Sequence, residues 1–228
     1  MRARRILGLA VAASLLLGLT GCATDAAPAT TDDGPVVAFY GDSYTRGTGA
    51  SSSEKRWSTI VSAERGWQEI NRSENGLGFV NRRDRMGPGL DDIPAQIIAD
   101  DPDIVFVTMG LNDNFSYDSA ADRIRRTIDS DLQRLRDGLP DARIVVVEPF
   151  WYTADRPASV DVIAGWVADA AARIDADHIA GASRWLDGHY AGAADSWMAG
   201  DGLHPNDTGY AHMAEEMDAA LRALDPPL

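Results

Sequence analysis

Short apolar runs alternate along this chain with longer stretches in which apolar residues recur every three or four positions. Residues 36–40, Val-Val-Ala-Phe-Tyr, form a run bounded by Pro35 and Gly41 and predict a buried strand. A helix is expected over 54–65, a strand over 67–70, a helix over 91–100 and a strand over 104–109. Residues 119–139 carry Ile124, Ile128, Leu132, Leu135 and Leu139 on one helical face, and 144–147 follow as a strand. The helical spacing returns in 157–175 through Val160, Ile163, Val167 and Ile174, and a weaker strand is expected over 179–185. A last helix opens at His204-Pro205-Asn206, with Asn206 as its N-cap, and buries Tyr210, Met213, Met217, Leu221 and Leu224. Strands that alternate with helices of this length predict an α/β fold: a three-layer α/β/α sandwich around a mainly parallel sheet.

The N-terminus departs from this pattern. Arg2, Arg4 and Arg5 precede an apolar stretch at 6–19, too short to span a membrane comfortably but suited to a signal peptide, so residues 1–21 are read as a leader. It ends in Leu19-Thr20-Gly21-Cys22, which resembles a bacterial lipobox. That resemblance implies a lipid, palmitate included, on Cys22 and an exported protein anchored to the outer face of a bacterial cell membrane. Residues 22–34 are rich in Ala, Thr, Asp and Pro and read as a flexible tether, leaving 35–228 as one domain. Cys22 is the only cysteine, so no intramolecular disulfide can form.

Charge narrows the partners. The chain has 21 basic and 35 acidic side chains, a net −14. Such a surface argues against nucleic acid or anionic lipid as the main ligand. Arg82, Arg83 and Arg85 are the local exception; they could hold an anionic group of a substrate, and the commoner arrangement is pairing with nearby acids.

Candidate chemistry lies where the predicted strands end. Gly41-Asp42-Ser43-Tyr44 follows the first strand and presents Ser43 at its tip. In Asp201-Gly202-Leu203-His204-Pro205 the spacing lets Asp201 reach one ring nitrogen of His204 and leaves the other for Ser43. Oxyanion donors are available from Gly76 and from Asn112 in Gly110-Leu111-Asn112-Asp113. Each block alone is weak, because these are common turn residues; their order and their placement at strand ends give them weight.

With these four blocks the chain, over residues 36 to about 221, resembles the SGNH hydrolases, also called GDSL-type esterases. The resemblance implies a flavodoxin-like parallel sheet, a Ser43-His204-Asp201 triad and an oxyanion hole of Ser43, Gly76 and Asn112, with no metal or cofactor. The chain departs from the family pattern at Tyr44, where leucine is usual. Gly78 is a second candidate for the oxyanion glycine. The implied activity is hydrolysis of carboxylic esters with short acyl or acetyl groups, on a small-molecule or glycan substrate, by a monomer. Two alternatives use the same fold: acyl transfer to cell-envelope sugars, and a surface lipoprotein that binds without catalysis.

Other residues have milder claims. His178 is expected to end a helix, His189 to lie in a loop and His212 to face outward; none forms a metal set, and the Asp-x-His pair of a metallophosphatase is absent. Phe150-Trp151-Tyr152 could wall the substrate or merely cover a loop, and Trp197-Met198 is the better pocket candidate because it lies nearer the triad.

Overall fold

The structure, a computed structural model, describes residues 34–87 and 92–228. The leader, Cys22 and nearly all of the tether lie outside the described residues. Five parallel strands form one sheet in the order β2-β1-β3-β4-β5: β1 Val36–Gly41, β2 Gln68–Asn71, β3 Ile104–Thr108, β4 Arg143–Val147 and β5 Asp177–Ile179. The helices are α1 Ser43–Arg46, α2 Trp57–Arg65, α3 Ile93–Asp100, α4 Tyr117–Gly138, α5 Ala158–Arg173 and α6 Asp207–Arg222.

Side chains alternate across a strand, so a run that is apolar throughout needs cover on both faces. Val37 and Phe39 of β1 point to one side, with Phe106, Val145 and Val147, and meet Trp57 and Val61 of α2 and Tyr210, Met213, Met217 and Leu221 of α6. Ala38 and Tyr40 point to the other, with Val105, Val107, Ile144 and Val146, under residues of α3, α4 and α5. Phe39 stacks on Phe106 with ring centroids 5.1 Å apart. Truncating either to alanine would open a cavity and cost about 3–5 kcal/mol.

Two expected elements differ. The stretch at 54–65 begins as a 3₁₀ turn, Ser53–Lys55, and the α-helix starts only at Trp57, because Arg56 adopts an extended backbone (ψ 146°) between them. The last strand lies at Asp177–Ile179, earlier and shorter than 179–185, because Gly181 turns the chain at φ 83° into a 3₁₀ turn, Ala182–Arg184. His178 accordingly sits in β5 and does not end a helix.

Candidate active site

Strand β1 delivers its last residue, Gly41, into a tight crossing. A Cβ at Gly41 would lie 2.3 Å from Thr108 Oγ1 and 2.6 Å from Thr45 Oγ1, so only glycine lets the chain turn there. Asp42 then caps α1, its Oδ1 accepting from the Tyr44 N–H at 2.9 Å, which places Ser43 at the first helical position. Ser43 is 6 % exposed and lines a cavity of about 350 Å³.

His204 lines the same cavity. Its ring Nδ1 and Asp201 Oδ2 are 2.7 Å apart, while Asp201 Oδ1 accepts from the backbone N–H groups of Leu203 and His204 at 2.9 and 3.0 Å. Burial pushes the Asp201 carboxyl up, but these three donors outweigh it and bring its pKa down to about 2. A carboxylate that stays ionised fixes the ring orientation and the tautomer that carries its proton on Nδ1, leaving Nε2 as an acceptor. Among the described residues neither Ser43 Oγ nor His204 Nε2 has a hydrogen-bond partner, and no such bond yet joins them; contacts of this kind often tighten only with substrate bound.

The candidate donors complete the lining. Gly76 has φ 72°, a left-handed conformation suited to glycine, and its N–H makes no hydrogen bond among the described residues. Gly78 is placed differently: its N–H donates to the Asn81 carbonyl at 3.0 Å, and it does not line the cavity. Asn112 does line it, with its amide nitrogen donating to the Leu77 carbonyl at 3.0 Å and to Asp42 Oδ2 at 3.2 Å.

Several supporting residues carried no signal in the sequence beyond their place beside a motif. Asp42 is fully buried, and that burial, helped by the charge of Asp113, raises its pKa to about 7 against the hydrogen bonds from Tyr44 and Asn112. Asp113, also buried, accepts from the N–H groups of Phe79, Val80 and Asn81 at 2.7, 2.8 and 3.1 Å and so shapes the loop that carries Gly76. Asn81 donates to the Gly76 carbonyl at 3.0 Å. The rest of the lining is Tyr44, Thr48, Asn75, Arg82, Leu111, Phe115 and Leu203, with Phe115 59 % exposed at the mouth.

The aromatic candidates fall elsewhere. Phe150 and Trp151 are buried in the core, and Phe150 stacks under Tyr44 at 5.8 Å; neither lines the cavity, because the loop after β4 turns them inward. Met198 is buried as well. Trp197 lies in a separate cleft, sandwiched by His189 at 3.4 Å and His212 at 4.6 Å. Nearness in sequence to Asp201 misleads here, since the residues between them turn the chain through the Gly202 N–H to Ala199 carbonyl bond.

The fold and the cavity define a three-layer α/β/α scaffold with a serine and an acid-held histidine at the carboxyl edge of a five-stranded parallel sheet. A sequence profile of the GDSL-like lipase/acylhydrolase family matches residues 39–212. The chain belongs to that family and is an SGNH-type serine hydrolase acting on ester bonds. It is 28 % identical to the GDSL lipase Rv0518 of Mycobacterium tuberculosis, with 93 % of each chain covered. Among solved structures it resembles TesA (TM-score 0.63, 18 % identity, 82 % of this chain and 98 % of that one). It resembles to the same degree the psychrotrophic esterase EstA of a Pseudoalteromonas species (TM-score 0.63, 16 % identity, 82 % and 97 %).

Proposed function

We propose that this protein cleaves carboxylic esters of short acyl groups through Ser43, His204 and Asp201, with the N–H groups of Ser43 and Gly76 and the amide of Asn112 receiving the oxyanion. The observation that supports this most is the shared cavity: a serine, an imidazole held at 2.7 Å by an ionised carboxylate, and two candidate donors from separate loops line one space. His204 Nε2 takes the Ser43 proton as Oγ attacks the carbonyl carbon, and the negative charge that develops on the carbonyl oxygen draws the donors toward it. Collapse expels the alcohol, which leaves with the proton held by His204. Water then attacks the acyl-serine by the same route in reverse order, freeing the acid. A cavity of about 350 Å³ is at the small end for ligand sites, which favours short acyl chains. The reading keeps the protein exported and lipid-anchored through Cys22.

Labelling with a fluorophosphonate, together with turnover of p-nitrophenyl esters of increasing chain length, tests it. The parent should label at Ser43 and prefer the shortest chains, and Ser43→Ala should fold, fail to label and fail to turn over. Labelling retained in Ser43→Ala would place the nucleophile elsewhere.

A further inference from the structure

In a chain with 35 acidic side chains against 21 basic ones, most arginines among the described residues pair with a carboxylate. Several exposed arginines are so paired: Arg46 with Glu74, Arg72 with Asp100, Arg123 with both oxygens of Asp84, and Arg134 with Asp92; Arg125 and Arg126 on the outer face of α4 are not. The run Arg82-Arg83-Asp84-Arg85 divides differently. Arg83 turns inward to the buried carboxylate of Asp131. The side chains of Arg82 and Arg85 make no ion pair or hydrogen bond among the described residues.

Arg82 is also the side chain of this run that lines the catalytic cavity. Its backbone is left-handed, φ 58°, an unusual state for a residue with a side chain. That conformation lays the side chain across Gly76: a Cβ built on Gly76 would be 2.8 Å from both Cδ and Nη1 of Arg82. The guanidinium is thereby held beside a candidate oxyanion donor. Among the described residues no carboxylate lines the cavity; Asp201 meets it only through His204, and Asp42 only through Asn112. Arg82 and Asn81 line a second cleft next to it as well, where Arg85 contributes the other unpaired cation and where Asp84 is already neutralised by Arg123.

We infer that Arg82, with Arg85 behind it, selects esters that carry an anionic group, carboxylate or phosphate, a few bonds from the scissile carbonyl. A guanidinium offers a planar pair of N–H donors that matches either anion, and a site without a competing carboxylate leaves those donors to the substrate. The inference names a substrate class for the esterase reading above and rests on it.

The experiment compares matched pairs. On the acyl side, p-nitrophenyl hydrogen succinate is set against p-nitrophenyl butyrate; on the alcohol side, 2-acetoxyethyl phosphate is set against ethyl acetate. The readout is the ratio of kcat/KM, anionic over neutral. Arg82→Gln should lower that ratio at least about tenfold, the worth of one charge-assisted hydrogen bond, chiefly through KM, and Arg82→Lys should lower it less. Whichever pair responds locates the anion on the acyl or the alcohol part. Arg125→Gln, on the exposed face of α4, controls for the general field. A ratio unchanged in Arg82→Gln, or lowered equally by Arg125→Gln, overturns the inference. Turnover of the neutral esters by the parent reports on the esterase reading separately. Calorimetric titration of Ser43→Ala with monomethyl succinate reads the Arg82 contact without any turnover: heat lost on adding Arg82→Gln supports it, and equal heat with and without Arg82 overturns it.

Discussion

The hydroxyl of Tyr44 donates to the carbonyl of Leu203 at 2.6 Å, tying the residue after the candidate nucleophile Ser43 to the residue before His204 across 159 positions of sequence. The Tyr44 ring lies on Phe150 below and 6.0 Å from the His204 ring. At the position where leucine is usual in the family, this chain therefore carries a buried aromatic side chain that packs on Phe150 and adds a polar tether between the two halves of the candidate triad.

Tyr44→Phe keeps the ring and removes the tether. The bond contributes about 1 kcal/mol, and Leu203, half-exposed, can pass its carbonyl to water. Melting temperature should fall by a few degrees. If the tether positions His204, kcat should fall about fivefold with KM little changed. Unchanged kcat alongside a lower melting temperature would confine Tyr44 to stability.

Asn112→Ala separates charge stabilisation from nucleophile activation. Loss of a donor realised only in the transition state should lower kcat by about 10²–10³ with little change in KM. The resting bonds of Asn112 to Leu77 and Asp42 mean that some stability is lost too. Measuring kcat, KM and melting temperature on one preparation distinguishes the roles: unchanged kcat would remove Asn112 from the mechanism.

Asp42 makes a prediction about pH. Its folded pKa, about 7, lies above the ordinary 3.8. The carboxyl therefore favours folding at low pH, and that contribution is lost as pH rises through about 7, where the buried group must ionise. Asp42→Asn cannot ionise, so its melting temperature should gain on the parent's as pH is raised from about 4 to about 8. The amide at position 42 faces the amide of Asn112 at every pH, so that offset is constant and only the slope is informative. Parallel melting curves across the range would show that Asp42 ionises in the fold as easily as outside it.

Cys22→Ser tests the anchor. The variant should leave the membrane fraction while the domain beyond the tether retains full ester turnover. Equal pelleting of variant and parent would count against the lipid.

The parallel sheet and the last helix could be read from sequence because their signals are local: an all-apolar run in β1, and an asparagine cap followed by apolar residues at helical spacing in α6. Ser43, Gly76, Asn112 and His204 line one cavity for a related reason, since each closes or follows a strand or opens a helix. What could not be read depends on pairing at a distance. Phe150 and Trp197 resemble pocket aromatics in sequence, yet only folding decides that one lies beneath Tyr44 and the other between two histidines. The arginines at 82, 83 and 85 look alike until Asp131 on α4 takes one of them. Asp113 reads as a turn residue, and its burial under three backbone donors appears only when the loop closes over it.

That last arrangement bears on how such an enzyme can change. The loop from Gly76 to Asn81 is moulded around a single buried carboxyl group, that of Asp113 in the 3₁₀ turn after β3, so its course is set from within. Asn75 and Arg82, which flank this loop and line the cavity, are facings on a fixed frame. Exchanging them would alter which esters are admitted while the candidate oxyanion donor keeps its place, so selectivity and chemistry can drift apart in evolution without either disturbing the other.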